Sequence, residues 1–277
     1  MFIHLFSGMF GSQDLKQNLL LLVTWIHNDC QKKQLWLKWK NPRPSPNQAY
    51  LPTYIEQIAN VITHGIWVIP SFMATNELFH RSYNDAQKLS ALIYGSTLIF
   101  LFVVSTSFHS VFFCGKHKSL VNFLHRCDRA VIYIFIAGSY FPWLTIHALK
   151  TNMASSMKVY VWVLAFLGII YQQVFHEKYK TIEIILYLIM GVVPATMIVS
   201  QETLPATEEL LLGGILYGTG VIFFKCDGII PFAHSIWHLF VAFAAMTHYY
   251  AILNYLFPYN DNIGDIDKDL KTGITPF

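Results

Sequence analysis

Seven long stretches of this chain are apolar almost throughout, and short polar connections separate them. They run over residues 57–79, 90–113, 124–147, 157–176, 181–200, 207–225 and 233–257. Each is close to the roughly 20 residues that a helix needs to cross the hydrocarbon core of a bilayer. The connections have the length expected between neighbouring helices of a bundle. The pattern predicts an all-α fold, a seven-transmembrane helix bundle over residues 53–258. A segment 1–52 precedes it, and a short acidic tail, 259–277, follows. An earlier apolar run, 18–26, is too short to span and reads as an interfacial or buried helix. In the sixth stretch Gly214 and Gly218 make a small-xxx-small face suited to close helix packing.

Composition agrees with burial in lipid. Of the 277 residues, 54% are hydrophobic and 13% charged, against about a quarter charged in a soluble domain. The net charge of +3 is too small to argue for nucleic acid. The distribution of Lys and Arg is more informative than the sum. With the N-terminus in the cytosol, that side of the membrane holds Lys16, Lys32, Lys33, Lys38, Lys40, Arg43, Lys116, Lys118, Arg126, Lys178, Lys180 and Lys225. The other side holds only Arg81, Lys88, Lys150, Lys158, Lys268 and Lys271. The excess predicts a cytosolic N-terminus and a lumenal or extracellular C-terminus. The four cysteines, Cys30, Cys114, Cys127 and Cys226, contain no CxxC pair. They are expected as reduced thiols, with S-palmitoylation of one near the membrane face as a lesser option.

Ionisable side chains inside spans are costly, so each asks for a partner. The second stretch ends with Ser105 and His109 four residues apart, and so on one helix face. The third begins with Asp128 in its first turns. The seventh begins with His234 and His238, again four apart. Alternating helix directions bring all of these to one layer, just below the cytosolic surface. A single histidine near an interface is usually only interfacial, but this set at one depth points to a metal. Three imidazoles with a water completing the sphere describe an open, tetrahedral zinc site. Asp128 would lie beside that water, to accept its proton or to hold a histidine tautomer, and Ser105 would hydrogen-bond into the site. His64, His176 and His248 have no comparable partners and are expected to be structural.

These motifs resemble the progestin and adipoQ receptor family, which includes the bacterial hemolysin III-like proteins. The resemblance covers about residues 50–257. It rests on S-x-x-x-H at Ser105 and His109, on D-x3-I-x3-I-x2-S-x2-P at Asp128, Ile132, Ile136, Ser139 and Pro142, and on H-x-x-x-H at His234 and His238. Further similar stretches are THGIWVIP (63–70), FHEKYK (175–180) and KCDGIIPFAHSIWHLFV (225–241). The last has the hemolysin III form and departs from the adiponectin-receptor form, so adiponectin or progestin is not implied as a ligand.

The resemblance implies zinc on His109, His234 and His238, with Asp128 and Ser105 beside the water. It also implies a link to amide hydrolysis in ceramide-like lipids, a Golgi or other endomembrane location and modulation of signalling. The expected function is therefore that of a zinc-dependent, ceramidase-like lipid amide hydrolase with membrane lipids as partners. The alternatives are a receptor or signalling scaffold with a structural zinc and a signalling protein as partner, and, third, a channel or transporter. The last fits least, because conduction needs polar groups at several depths.

Overall fold

The computed structural model describes residues 39–45, 48–115, 118–146, 153–200 and 206–259. The apolar run 18–26, Cys30 and the acidic tail beyond 259 lie outside the described residues. Among the described residues eight helices follow in order: α1 (Tyr54–Gly65), α2 (Val68–His80), α3 (Asp85–Cys114), α4 (Lys118–Ile146), α5 (Met153–Val174), α6 (Lys180–Val199), α7 (Thr207–Lys225) and α8 (Ala233–Leu256). They supply seven candidate membrane spans, because α1 and α2 together form the first, Tyr54–His80. The chain is thus an integral, multi-pass helical membrane protein.

The first span is broken where the hydrophobic pattern reads as continuous. Pro70 explains the break. It has no N–H to give to the carbonyl of Ile66, and its ring crowds that carbonyl. Gly65, a poor helix former, closes α1 immediately before. α1 also begins earlier than expected, because Thr53 caps it by accepting from the Glu56 N–H at 3.2 Å. That places Glu56 inside the span. α3 likewise starts five residues before the apolar stretch, capped by the Asn84 side chain on Gln87. α5 stops at Val174, so His176 lies in the connection to α6 and outside the helix that the pattern assigned to it.

The outer faces of the spans carry apolar side chains that are more than half exposed, among them Ile69, Phe166, Val174, Ile215 and Ile222. Without a hydrophobic drive between helices in lipid, close approach of small residues does the packing. In α7 the positions that do this are Gly213, against His248 of α8, and Gly220, against Trp237 and Phe240. Gly214 and Gly218, the pair singled out by spacing, have open space where a Cβ would stand. The 3.6-residue turn puts 213 and 220, two turns apart, on the face that α8 covers. His248 is structural in the sense expected: it fills the groove at Gly213 and stacks on Tyr217 with centroids 5.6 Å apart. Among the described residues Cys114, Cys127 and Cys226 are free thiols.

Candidate metal centre

The C-terminal part of α3 and the N-terminal turns of α4 and α8 meet at one end of the bundle. There His109, His234 and His238 each offer a ring nitrogen, and these atoms lie within 4.8 Å of one another. The ring centroids are 4.7 to 5.3 Å apart. All three residues are buried, and His109 Nε2 has no hydrogen-bond partner. Burying such a nitrogen unpaired is costly, whereas as a lone pair directed at a cation it is satisfied. The donor set therefore fits a metal ion, and three imidazoles suit zinc.

The other ring nitrogens fix the tautomers. The Gln57 amide donates to the His109 backbone carbonyl at 2.6 Å. Its Oε1 therefore faces His109 Nδ1, 3.3 Å away, as an acceptor. The Thr63 hydroxyl donates to the Ala59 carbonyl at 2.8 Å, which leaves its oxygen to accept from His238 Nδ1 at 3.1 Å. His234 Nδ1 lies 3.5 Å from Asp227 Oδ2. With Nδ1 of His109 and of His238 carrying the proton, their Nε2 lone pairs are left for a metal. Outer hydrogen bonds of this kind orient metal-ligating histidines.

This supporting layer comes mostly from α1 and was not anticipated. Gln57, Asn60 and Thr63 are spaced along one face of the helix. Asn60 donates to Gln57 Oε1 at 3.5 Å and accepts from Ser235 of α8 at 2.6 Å. Glu56, fully buried, has no hydrogen bond on either carboxyl oxygen and lies in the electrostatic neighbourhood of Tyr50, His234 and Asp227. The signal was present as polar residues at helical spacing in an apolar span. Asp227 gave no such signal, because only the turn before α8 carries it to His234.

Asp128 and Ser105 line the same cavity as the three histidines, and the Ser105 hydroxyl faces the Asp128 carboxyl. The structure thus brings all five expected residues together. It corrects the expectation for two others. His64 does have a partner: its ring stacks on His238 with centroids 3.7 Å apart and an interplanar angle of 17°. Its two ring nitrogens are buried without hydrogen bonds. His176 also has partners, since it forms a second close group with His125 and Glu177.

In that second group the charges are already balanced. Arg129 donates to Glu183 from Nε at 3.0 Å and from Nη2 at 2.5 Å, and from Nη1 to Glu177. Lys180 pairs with Glu177 at 2.5 Å. A metal ion at Glu177 would face two cations, so the group reads as an ionic clamp between α4 and α6. Glu177 has φ 65°, a conformation uncommon outside glycine, and it turns the carboxylate into this clamp. Burial works to raise the Glu177 carboxyl, but Arg129 and Lys180 outweigh it and hold it below its ordinary value.

Comparison with known proteins places the sequence in a family. The haemolysin-III related family profile covers residues 53–249. Monocyte to macrophage differentiation factor of Homo sapiens is 45% identical over 227 residues, which is 81% of this chain and 94% of that protein. Its counterpart in Mus musculus is 46% identical over 222 residues, 79% of this chain and 92% of that one. The hemolysin-3 homolog of Bacillus subtilis is 36% identical over 212 residues, 73% of this chain and 95% of its own. With a matched profile over most of its length, this chain belongs to the haemolysin-III related family.

Proposed function

We propose that the protein is a zinc-dependent hydrolase of an amide bond in a membrane lipid, with His109, His234 and His238 as ligands. The observation that carries this reading is the buried, unpaired His109 Nε2 within 4.8 Å of two further imidazole nitrogens, behind which Gln57 and Thr63 hold the protons away. Zinc in such a site polarises a carbonyl and makes water a nucleophile at neutral pH. The remaining steps belong to the chain. Asp128 takes the proton of the attacking water on its carboxylate and passes it to the leaving nitrogen as the C–N bond breaks, and Ser105 keeps that carboxylate facing the cavity. Phe108 and Trp237 on the cavity wall exclude bulk water from the reacting carbonyl.

The cavity measures about 240 Å³, below the about 300–1,000 Å³ of pockets that enclose a whole drug-sized ligand. It therefore takes the reacting part of a lipid and leaves the rest of the acyl chain to the bilayer. The excess of Lys and Arg at this end supports a cytosol-facing site, and the family resemblance is what points to the Golgi or another endomembrane. The test is fatty acid release from an N-acyl sphingoid lipid by purified, zinc-loaded protein. Release is expected from wild type and is lost in His238→Ala and Asp128→Asn. Absence of turnover by zinc-loaded wild type across a panel of such lipids would sink the reading.

A second reading has its own support. The ligands and their hydrogen-bond partners tie α1, α3 and α8 together, as a structural zinc in a receptor or signalling scaffold would. In that case chelation lowers the melting temperature and partner binding, with no turnover at any zinc load.

A further inference from the structure

Among the described residues, two cations that line the cavity have no ion-pair partner. Four cations line the cavity: Arg43, Arg129, Lys180 and Lys225. Arg129 is neutralised by Glu177 and Glu183, and Lys180 shares Glu177. Of the other lining carboxylates, Asp227 lies 3.5 Å from His234 Nδ1 and Asp128 faces the Ser105 hydroxyl, and neither forms an ion pair with Arg43 or Lys225. Among the described residues Arg43 and Lys225 form no ion pair. The Lys225 ammonium donates to the Thr181 hydroxyl at 3.3 Å.

The place of Arg43 is built. Its backbone lies against Gly228, where a Cβ would come within 2.4 Å of the Arg43 Cα and 2.7 Å of the Pro42 carbonyl. Gly228 also has φ 75°, open to glycine at no steric cost. The segment is pinned on both sides of Arg43. Trp39 meets Phe232 with centroids 6.2 Å apart, and Tyr50 stacks on His234 at 4.9 Å. Lys225, at the end of α7, comes to the same mouth three residues before Gly228. Below this rim the walls are apolar, with Leu101, Phe108, Phe224 and Trp237 on the way to the histidines.

A cationic rim above an apolar wall fits an amphiphile with an anionic head. We infer that the lipid bound here carries a phosphate or carboxylate head group, seated between Arg43 and Lys225, with its acylated part directed down the apolar wall. The inference rests on the proposed reading that the cavity takes a lipid, and adds the charge of that lipid.

The experiment compares two N-acyl lipids of the same chain length, one with a phosphate head and one with a neutral hydroxyl head. Binding is measured to the zinc-loaded protein in phosphatidylcholine nanodiscs, which carry no net charge. Wild type is expected to bind the phosphate lipid at least tenfold more tightly. The Arg43→Gln/Lys225→Gln variant brings the ratio of affinities close to one, and Arg43→Lys/Lys225→Arg restores it. Zinc content and melting temperature show that each variant is folded. Equal binding of the two lipids by wild type, or an undiminished ratio in the Gln variant, overturns the inference and leaves the hydrolase reading standing. Binding of neither lipid overturns both. Inorganic phosphate forms a separate arm. If it alone raises the melting temperature of wild type but not of the Gln variant, while neither lipid competes, the rim serves a soluble anion and the lipid assignment falls.

Discussion

The Thr63 hydroxyl oxygen lies 3.1 Å from His238 Nδ1, and its own proton is given to the Ala59 carbonyl one turn back. One hydroxyl on the first span thus decides which nitrogen of a histidine on the last span is free for a metal. Thr63→Val keeps the shape and removes the acceptor. Loss of such an outer partner costs about 10- to 100-fold in metal affinity, and that is the drop expected in a zinc competition titration. Thr63→Ser should stay close to wild type. Equal affinity in all three proteins would show that the Thr63 contact does not orient His238.

His64 tests the boundary of the site. Its ring is nearly parallel to that of His238, and an imidazole lone pair lies in the ring plane. Stacked rings send their lone pairs past each other rather than to one point, so His64 is not a fourth ligand. His64→Leu should keep one zinc per chain by elemental analysis, whereas His109→Ala should lose it. The Leu variant also removes two buried nitrogens without partners, a desolvation cost of order 1–3 kcal/mol each. Its melting temperature should not fall. Loss of zinc in His64→Leu would place His64 in the coordination sphere.

The parts of this site that could be read in the sequence are those whose spacing lies within one helix. His234 and His238, or Ser105 and His109, declare a shared face by being four apart. Depth then joins them, because alternate spans run in opposite directions. The supporting layer on α1 follows the same rule, with Gln57, Asn60 and Thr63 inside the apolar stretch that opens at 57 and only Glu56 outside it. His64 shows no partner by spacing, although it shares the α1 face and stacks on His238. Other contacts had no sequence signal. Asp227 reaches His234 through a turn containing Gly228, and Arg129 meets Glu183 from a helix 54 residues away. Such pairings depend on how helices lie against each other, which periodicity does not encode.

Arg129 shows what the long-range pairing is worth. It is buried between α4 and α6, held by Glu183 and Glu177. Arg129→Met leaves the Glu183 carboxylate buried without its counter-charge and leaves Glu177 with Lys180 alone. Breaking a buried pair on one side costs about 3–5 kcal/mol, and a loss of that size is expected in denaturant unfolding in detergent. Replacing both acids as well, in Arg129→Met/Glu177→Gln/Glu183→Gln, removes the stranded charges and should recover most of it. A triple variant as unstable as the single one would mean that the clamp acts through geometry rather than charge.

His176 makes the stability of this end of the bundle depend on pH. Burial pushes its imidazole down from 6.5 to about 4, with Arg126, Arg129 and Lys180 adding to the effect and Glu177 opposing it. Its hydrogen bonds agree with a neutral ring. Gln172 gives its amide to His176 Nδ1 at 2.9 Å while its oxygen accepts from Gln173 at 2.7 Å, so Nδ1 is an acceptor. His176 Nε2 then donates to His125 Nδ1, 3.3 Å away. Protonation of Nδ1 would set two donors against each other. Between pH 6.5 and about 4 the unfolded chain therefore binds a proton that the folded protein refuses, and stability falls as pH falls through that window. Above pH 6.5 the contribution is fully present, and below about 4 no more is lost. Melting temperatures of wild type and His176→Gln should converge as the pH is lowered from 7 to 4, because the glutamine side chain does not titrate. A constant difference between the two proteins across that range would rule out His176 as the titrating group.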